Sequence, residues 1–147
     1  GGVTVNVLDD FTGVDDTLIK GKDVTLFGEH ALHYVRIRKD LEDSTNQNRM
    51  KRQQQYMSAL YQKIGEAMEK DKDFIGNAVL EVAPYMTSDC SANKLSDILE
   101  AIKDYEMTPI KNIDGNATKG ETYMEYYVDD NSLRETIMEL YYIPEEQ

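Results

Sequence analysis

At 147 residues, 40% apolar and 30% charged, the chain is long enough to bury one sizeable core and too apolar for a disordered segment. Its formal net charge of -12 repels nucleic acid overall, and its apolar runs are too short to span a bilayer. Cys90 is the single cysteine, so no intrachain disulfide can form and the thiol carries no functional signal.

Val3 to Leu8 alternates β-branched and polar residues behind a Gly-Gly pair and predicts a strand. A strand this close to the first residue reads as the middle of a fold. Asp9 to Lys22 is rich in Asp, Thr and Gly and predicts an irregular connection. Gly28 to Arg36 predicts a short helix with Ala31, Leu32 and Val35 as its apolar stripe. On it His30 and His33 read as two surface histidines, since two such ligands without a third make no metal site. Asp43-Ser-Thr-Asn46 offers capping side chains for the longest helix, from Gln47 or Asn48 to about Lys70. Its predicted core stripe is Met50, Met57, Leu60, Ile64 and Met68. Helices are predicted from Phe74 to about Tyr85, from Ser91 to about Tyr105, and from Asp129 through about Tyr142. Between the last two, Met107–Ile113 and Thr122–Val128 predict two strands around an Asp114–Gly120 turn. Tyr123, Tyr126, Tyr127, Tyr141 and Tyr142 read as packing residues. No internal repeat and no linker is visible, so one domain over 1–147 is expected.

The arginines are unevenly spread. Four of the five, Arg36, Arg38, Arg49 and Arg52, fall within seventeen residues; the fifth is Arg134. A guanidinium grips phosphate or carboxylate through a planar two-pronged contact. Within a Debye length of about 8 Å a local cationic cluster can dominate an acidic protein. Arg49, Arg52 and Gln53 fall on the first turns of the long helix, where free amides and the helix dipole already favour anions. If the short helix ends near Arg36, then Arg36 and Arg38 point the same way on extended chain. All four arginines are then expected to meet over one hollow and hold a phosphate or pyrophosphate. Two other readings compete: a surface salt-bridge network with Asp40, Glu42 and Asp43, and a nucleic-acid-reading helix over Arg49-Met-Lys-Arg-Gln-Gln54. The net charge opposes the second.

Three stretches in order, Gly1–Val7, Leu26–Arg38 and Asn48–Gln54, resemble the LytR-CpsA-Psr family over roughly the first 60 residues. The resemblance implies an α/β fold, a mixed β-sheet flanked by helices, here incomplete at the N-terminus as the C-terminal part of the catalytic domain. It implies a phosphotransferase that moves a wall teichoic acid or capsule glycan from a polyprenyl-pyrophosphate carrier to a peptidoglycan acceptor. It places such a protein on the outer face of the membrane of a bacterium, mainly Gram-positive, through an N-terminal anchor absent from this chain. Arg36 and Arg38 match the family's pyrophosphate-binding Arg-x-Arg pair. Arg49 matches the arginine opening the long helix, and Arg52 and Gln53 match the Arg-Gln pair after it. Mg2+ is implied as cofactor, with ligands expected outside this chain. Where the family often has an aspartate three residues before the helix arginine, this chain has Asn46. A non-catalytic polyprenyl-phosphate-binding module is the alternative reading, with a nucleic-acid-binding regulator or attenuator behind it.

Overall fold

The computed structural model describes residues 1–102, 105, 108 and 110–142. It is of the α/β class, about half helix and 13% strand. By contacts the chain forms two compact units, Gly1–Met107 and Thr108–Gln147.

In the first unit, β1 (Val3–Asn6) pairs antiparallel with β2 (Asp23–Leu26), Val3 opposite Leu26 and Asn6 opposite Asp23. Val3 and Val5 point inward and Thr4 and Asn6 outward, as the pleat requires. The second strand is missed by the sequence reading: its four residues offer only Val24 and Leu26 as an apolar signal. The connection between the strands is more ordered than its composition suggests. Phe11 and Leu18 are fully buried and bonded to each other, Phe11 N–H donating to the Leu18 carbonyl at 3.0 Å. Gly21, at φ 78°, turns the chain back so that its N–H reaches the Val7 carbonyl.

α1 (Gly28–Arg36) has the predicted bounds but a different inner face. Tyr34 is fully buried with Ala31 and Val35 beside it, while Leu32 is exposed. α2 (Asn46–Lys70) starts at the N-cap Thr45, whose hydroxyl accepts from Asn48 N–H. Its inward stripe is also different from the expected one. Asn48 and Arg52 are buried and Tyr56, Ala59 and Leu60 continue the row against the core, whereas Met50 is 40% exposed. Counting apolar residues alone missed a stripe that begins with two polar ones. α3 (Phe74–Val82) continues into a short 3-10 turn at Ala83–Tyr85 and packs on α4 (Ala92–Ile102), with Ile75 and Val79 buried. The predicted extension of α4 to Tyr105 crosses Lys103 and Asp104, outside the described residues.

The second unit holds β3 (Gly115–Lys119), β4 (Met124–Val128) and α5 (Asp130–Tyr141). The strands pair antiparallel with Gly115 opposite Val128. β3 therefore occupies the segment expected to be a turn. Met107 and Pro109 of the strand predicted there are not among the described residues, and residues 110–114 form no strand. The reason is that β3 is polar and wet on both faces, so it has no alternation to read. Gly115 is required where it stands: a Cβ would lie 2.4 Å from the Tyr127 carbonyl oxygen. The five tyrosines expected to pack are all exposed. Asp129 caps α5 by accepting from Ser132 N–H, as predicted.

The core thus lies between the β1–β2 ribbon, its connection, α1 and α2. Phe11→Ala is expected to cost about 3–5 kcal/mol in urea unfolding. Tyr85→Ala, at a side chain that is 89% exposed, is expected to change stability by less than about 0.5 kcal/mol.

Candidate functional site

α1 ends at Arg36, with Ile37 extended at φ -66° and ψ 137°. The last carbonyls of a helix have no partner within it. Here α2 supplies the donors. Arg52 Nε donates to the Tyr34 carbonyl at 2.9 Å, Arg52 Nη2 donates to the Ile37 carbonyl, and Gln53 Nε2 donates to the Val35 carbonyl at 3.0 Å. The third side of the Arg52 fork, Nη1, meets Asp9 Oδ2 at 2.5 Å. The other Asp9 oxygen accepts from Asn48 Nδ2 at 2.8 Å. The guanidinium also lies over the Phe11 ring, 5.2 Å from its centroid. Arg52 is 0% exposed.

Arg52 and Gln53 are therefore not beside the other arginines on an open face, as the helical spacing suggested. They turn inward and fasten α1 to α2. Arg36 is exposed and Arg38 and Arg49 are half-buried. Arg49 Nη2 donates to Asn46 Oδ1 at 2.6 Å, and its Nε is buried without a partner. Among the described residues, no ion pair joins Arg36, Arg38 or Arg49 to an acid. The expected rival network with Asp40, Glu42 and Asp43 does not form. Asp43 instead accepts from Thr45 N–H at 3.0 Å, and hydrogen bonding to Thr45 lowers its pKa.

Arg49 stands one turn before Gln53, about 6 Å along the helix, and Gln53 is bonded to the Val35 carbonyl next to Arg36. A single hollow shared by all four arginines is not what forms. A shallow, open hollow of about 320 Å³ at the end of α1 is lined by Leu32, His33, Arg36 and Ile37. A second, of about 410 Å³, opens between α3 and α4 and mixes charged side chains such as Lys72 and Glu100 with Ile75 and Leu80.

Three side chains with defined roles were not singled out by their sequence context. Asp9 holds Arg52, and Asn48 holds Asp9. Tyr34 accepts from Leu8 N–H at 3.2 Å and donates to Gln55 Oε1; burial raises its pKa. Asp9 sits in a run of acidic and polar loop residues and Asn48 among polar helix residues, so neither carried a signal. The histidines are not free surface groups. His33 Nδ1 lies 3.1 Å from Asp15 Oδ2 and His30 Nε2 lies 3.9 Å from it. Burial pushes the Asp15 carboxyl up, but hydrogen bonds from Thr17 and His33 outweigh it and leave the pKa lowered.

The Mg2+ implied by resemblance finds no fit in these residues. Among the described residues no three His, Cys, Asp or Glu side chains come together as a metal requires. Both oxygens of Asp9 are committed to Arg52 and Asn48. No helix among them is long and apolar enough to cross a membrane.

The family to which this arrangement belongs is given by comparison with known proteins. The chain belongs to the LytR-CpsA-Psr family, whose match covers residues 1–141. A solved structure, the Lin1025 protein from Listeria innocua, is similar in fold with a TM-score of 0.51 and 20% sequence identity. The similarity covers 93% of this chain and 59% of the Listeria one, so the chain spans well under two thirds of its neighbour's length. No curated protein matches the chain. Membership places the protein among families with a general role in cell-wall glycopolymers, associated with the cell envelope, whose members are generally transferases.

Asp9→Ala leaves the Arg52 charge buried and unpaired, and is expected to cost about 3–5 kcal/mol in chemical denaturation. Asp15 gives a pH test. Its folded pKa is below the ordinary 3.8, so its contribution is present above that value and is lost as the pH falls through the folded pKa. The stability gap between the natural chain and Asp15→Asn is expected to be full at about pH 5 and to close below 3.8 in thermal melts.

Proposed function

We propose that this chain takes part in moving a phosphoglycan from a polyprenyl-pyrophosphate carrier to peptidoglycan, with Arg36, Arg38 and Arg49 gripping the pyrophosphate. The observation that carries this reading is uncompensated charge. In a chain of formal net charge -12, three arginines stand at one helix junction with no acidic partner among the described residues. One of them, Arg49, keeps a buried Nε–H without an acceptor. Family membership supplies the reaction class.

The chemistry suits the residues. Breaking a pyrophosphate bond builds negative charge on the leaving group, and fixed guanidinium groups stabilise that charge. The α2 N-terminus adds its dipole, since its first turn holds no acidic residue. Asn46 orients Arg49 as a carboxylate would, without cancelling its charge. The glycan itself, wall teichoic acid or capsule, and a position on the outer face of the membrane belong to the same proposal. The nucleic-acid reader fares less well, because a groove-reading helix needs Arg52 and Gln53 outward and both turn in. A binding-only module is the second reading, since the same unpaired arginines would serve it equally.

In the full-length protein, Arg36→Ala and Arg49→Ala are each expected to abolish transfer from a polyprenyl-pyrophosphate glycan while leaving the fold intact. Each is also expected to weaken inorganic pyrophosphate binding about 10- to 100-fold by calorimetry, the range for one charge-assisted hydrogen bond. Lys63→Ala, further along α2, is expected to leave both unchanged. Transfer retained in both arginine variants would remove the clamp. Pyrophosphate binding with no transfer in the natural protein would favour the binding module.

A further inference from the structure

Arg52 matches a position that the family resemblance assigns to the pyrophosphate, yet its surroundings leave it no route to a ligand. Its side chain has no solvent exposure. Nε, Nη1 and Nη2 are directed at the Tyr34 carbonyl, Asp9 and the Ile37 carbonyl. Phe11 covers one face. Asp9 neutralises its charge at contact distance, so it adds little to the field felt by an anion outside.

We infer that Arg52, paired with Asp9, which Asn48 in turn holds, is a positioning residue for the anion site rather than one of its ligands. The inference rests on the reading of Arg36, Arg38 and Arg49 as the pyrophosphate grip. What Arg52 fixes is the carbonyl on each side of Arg36: Tyr34 two residues before it and Ile37 one after. Arg38 follows directly. Gln53 takes the Val35 carbonyl between them. Three bonds from two consecutive residues of α2 therefore set both the height at which α1 ends and its rotation. Rotation is what decides where the next two arginines point. The Arg49 turn lies immediately N-terminal on the same rigid helix, so the clamp sets the separation of Arg49 from the Arg36–Arg38 pair.

Two consequences separate this from general structural support. A device that sets separation matters more for a diphosphate, whose two phosphates must be met together, than for a single phosphate. Its effect must also pass through Arg36 and Arg38, and vanish when they are gone.

The test is calorimetric titration of inorganic pyrophosphate, and of orthophosphate for comparison, into the whole chain. Arg52→Lys keeps a positive charge against Asp9 but loses the fork that reaches two carbonyls. It is expected to weaken pyrophosphate binding about 10- to 100-fold, as a misplacement of about 1 Å does, and orthophosphate binding much less. On an Arg36→Ala/Arg38→Ala background the same change is expected to have no further effect. Should Arg52→Lys fail to fold, nitrogen-15 spectra of the natural chain decide instead. The Arg49 Nε–H signal is expected to move on adding pyrophosphate and the Arg52 Nε–H signal to stay. An Arg52 signal that moves as far as that of Arg49, additive losses on the double-alanine background, or unchanged affinity in a folded Arg52→Lys would each overturn the positioning role. If the natural chain fails to bind pyrophosphate, the grip itself fails and the positioning role with it. If it binds and depends on Arg36 but not on Arg52, only the positioning role falls.

Discussion

A guanidinium sealed from water is the constraint around which the first unit is arranged. Burying a charge is tolerable only when a counter-charge and a full set of hydrogen bonds accompany it. Arg52 obtains its counter-charge from Asp9, just beyond β1, its ring contact from Phe11 in the following connection, and its acceptors from the end of α1. Each of these segments must come to one point for Arg52 to be buried at all. The hydrophobic residues, Val3, Val5, Val7, Leu18 and Leu26, fill the space nearby, but dispersion is not directional. The polar centre is what fixes which end of α1 meets which turn of α2.

Much of this architecture can be read from the amino acids, and the failures share a cause. The bounds of α1 and the caps at Thr45 and Asp129 follow from local chemistry that needs no tertiary partner. The inner face of α2 does not. Its first two members, Asn48 and Arg52, are polar, and only the distant Asp9 makes them interior residues. Seen as spacing alone, Arg49, Arg52 and Gln53 form one basic cluster. In space Arg52 and Gln53 are bonded to the end of α1, while Arg49, one turn earlier, is bonded to Asn46. The ribbon of the second unit shows the same limit from the other side. β3 has no apolar face, so its pairing with β4 is a backbone matter that side-chain patterns do not record.

The second unit, as described, holds no buried residue. Its order comes from ladder hydrogen bonds, from Ser132 Oγ accepting from Asp114 N–H at 2.9 Å, from Tyr126 donating to the Ile113 carbonyl, and from an ion pair between Lys111 and Glu139. The first unit has the opposite balance, with its order concentrated around a few sealed side chains.

The opening turn of α2 reads Asn46, Gln47, Asn48, Arg49, without a carboxylate. An acidic residue there is worth about 0.3–1 kcal/mol to an ordinary helix, so this helix forgoes a common source of firmness. Anyone engineering the protein for heat tolerance by the usual helix rules would begin by placing glutamate or aspartate at these positions. The melting temperature would rise, and the positive helix end on which the proposed anion grip relies would be weakened by the same substitution.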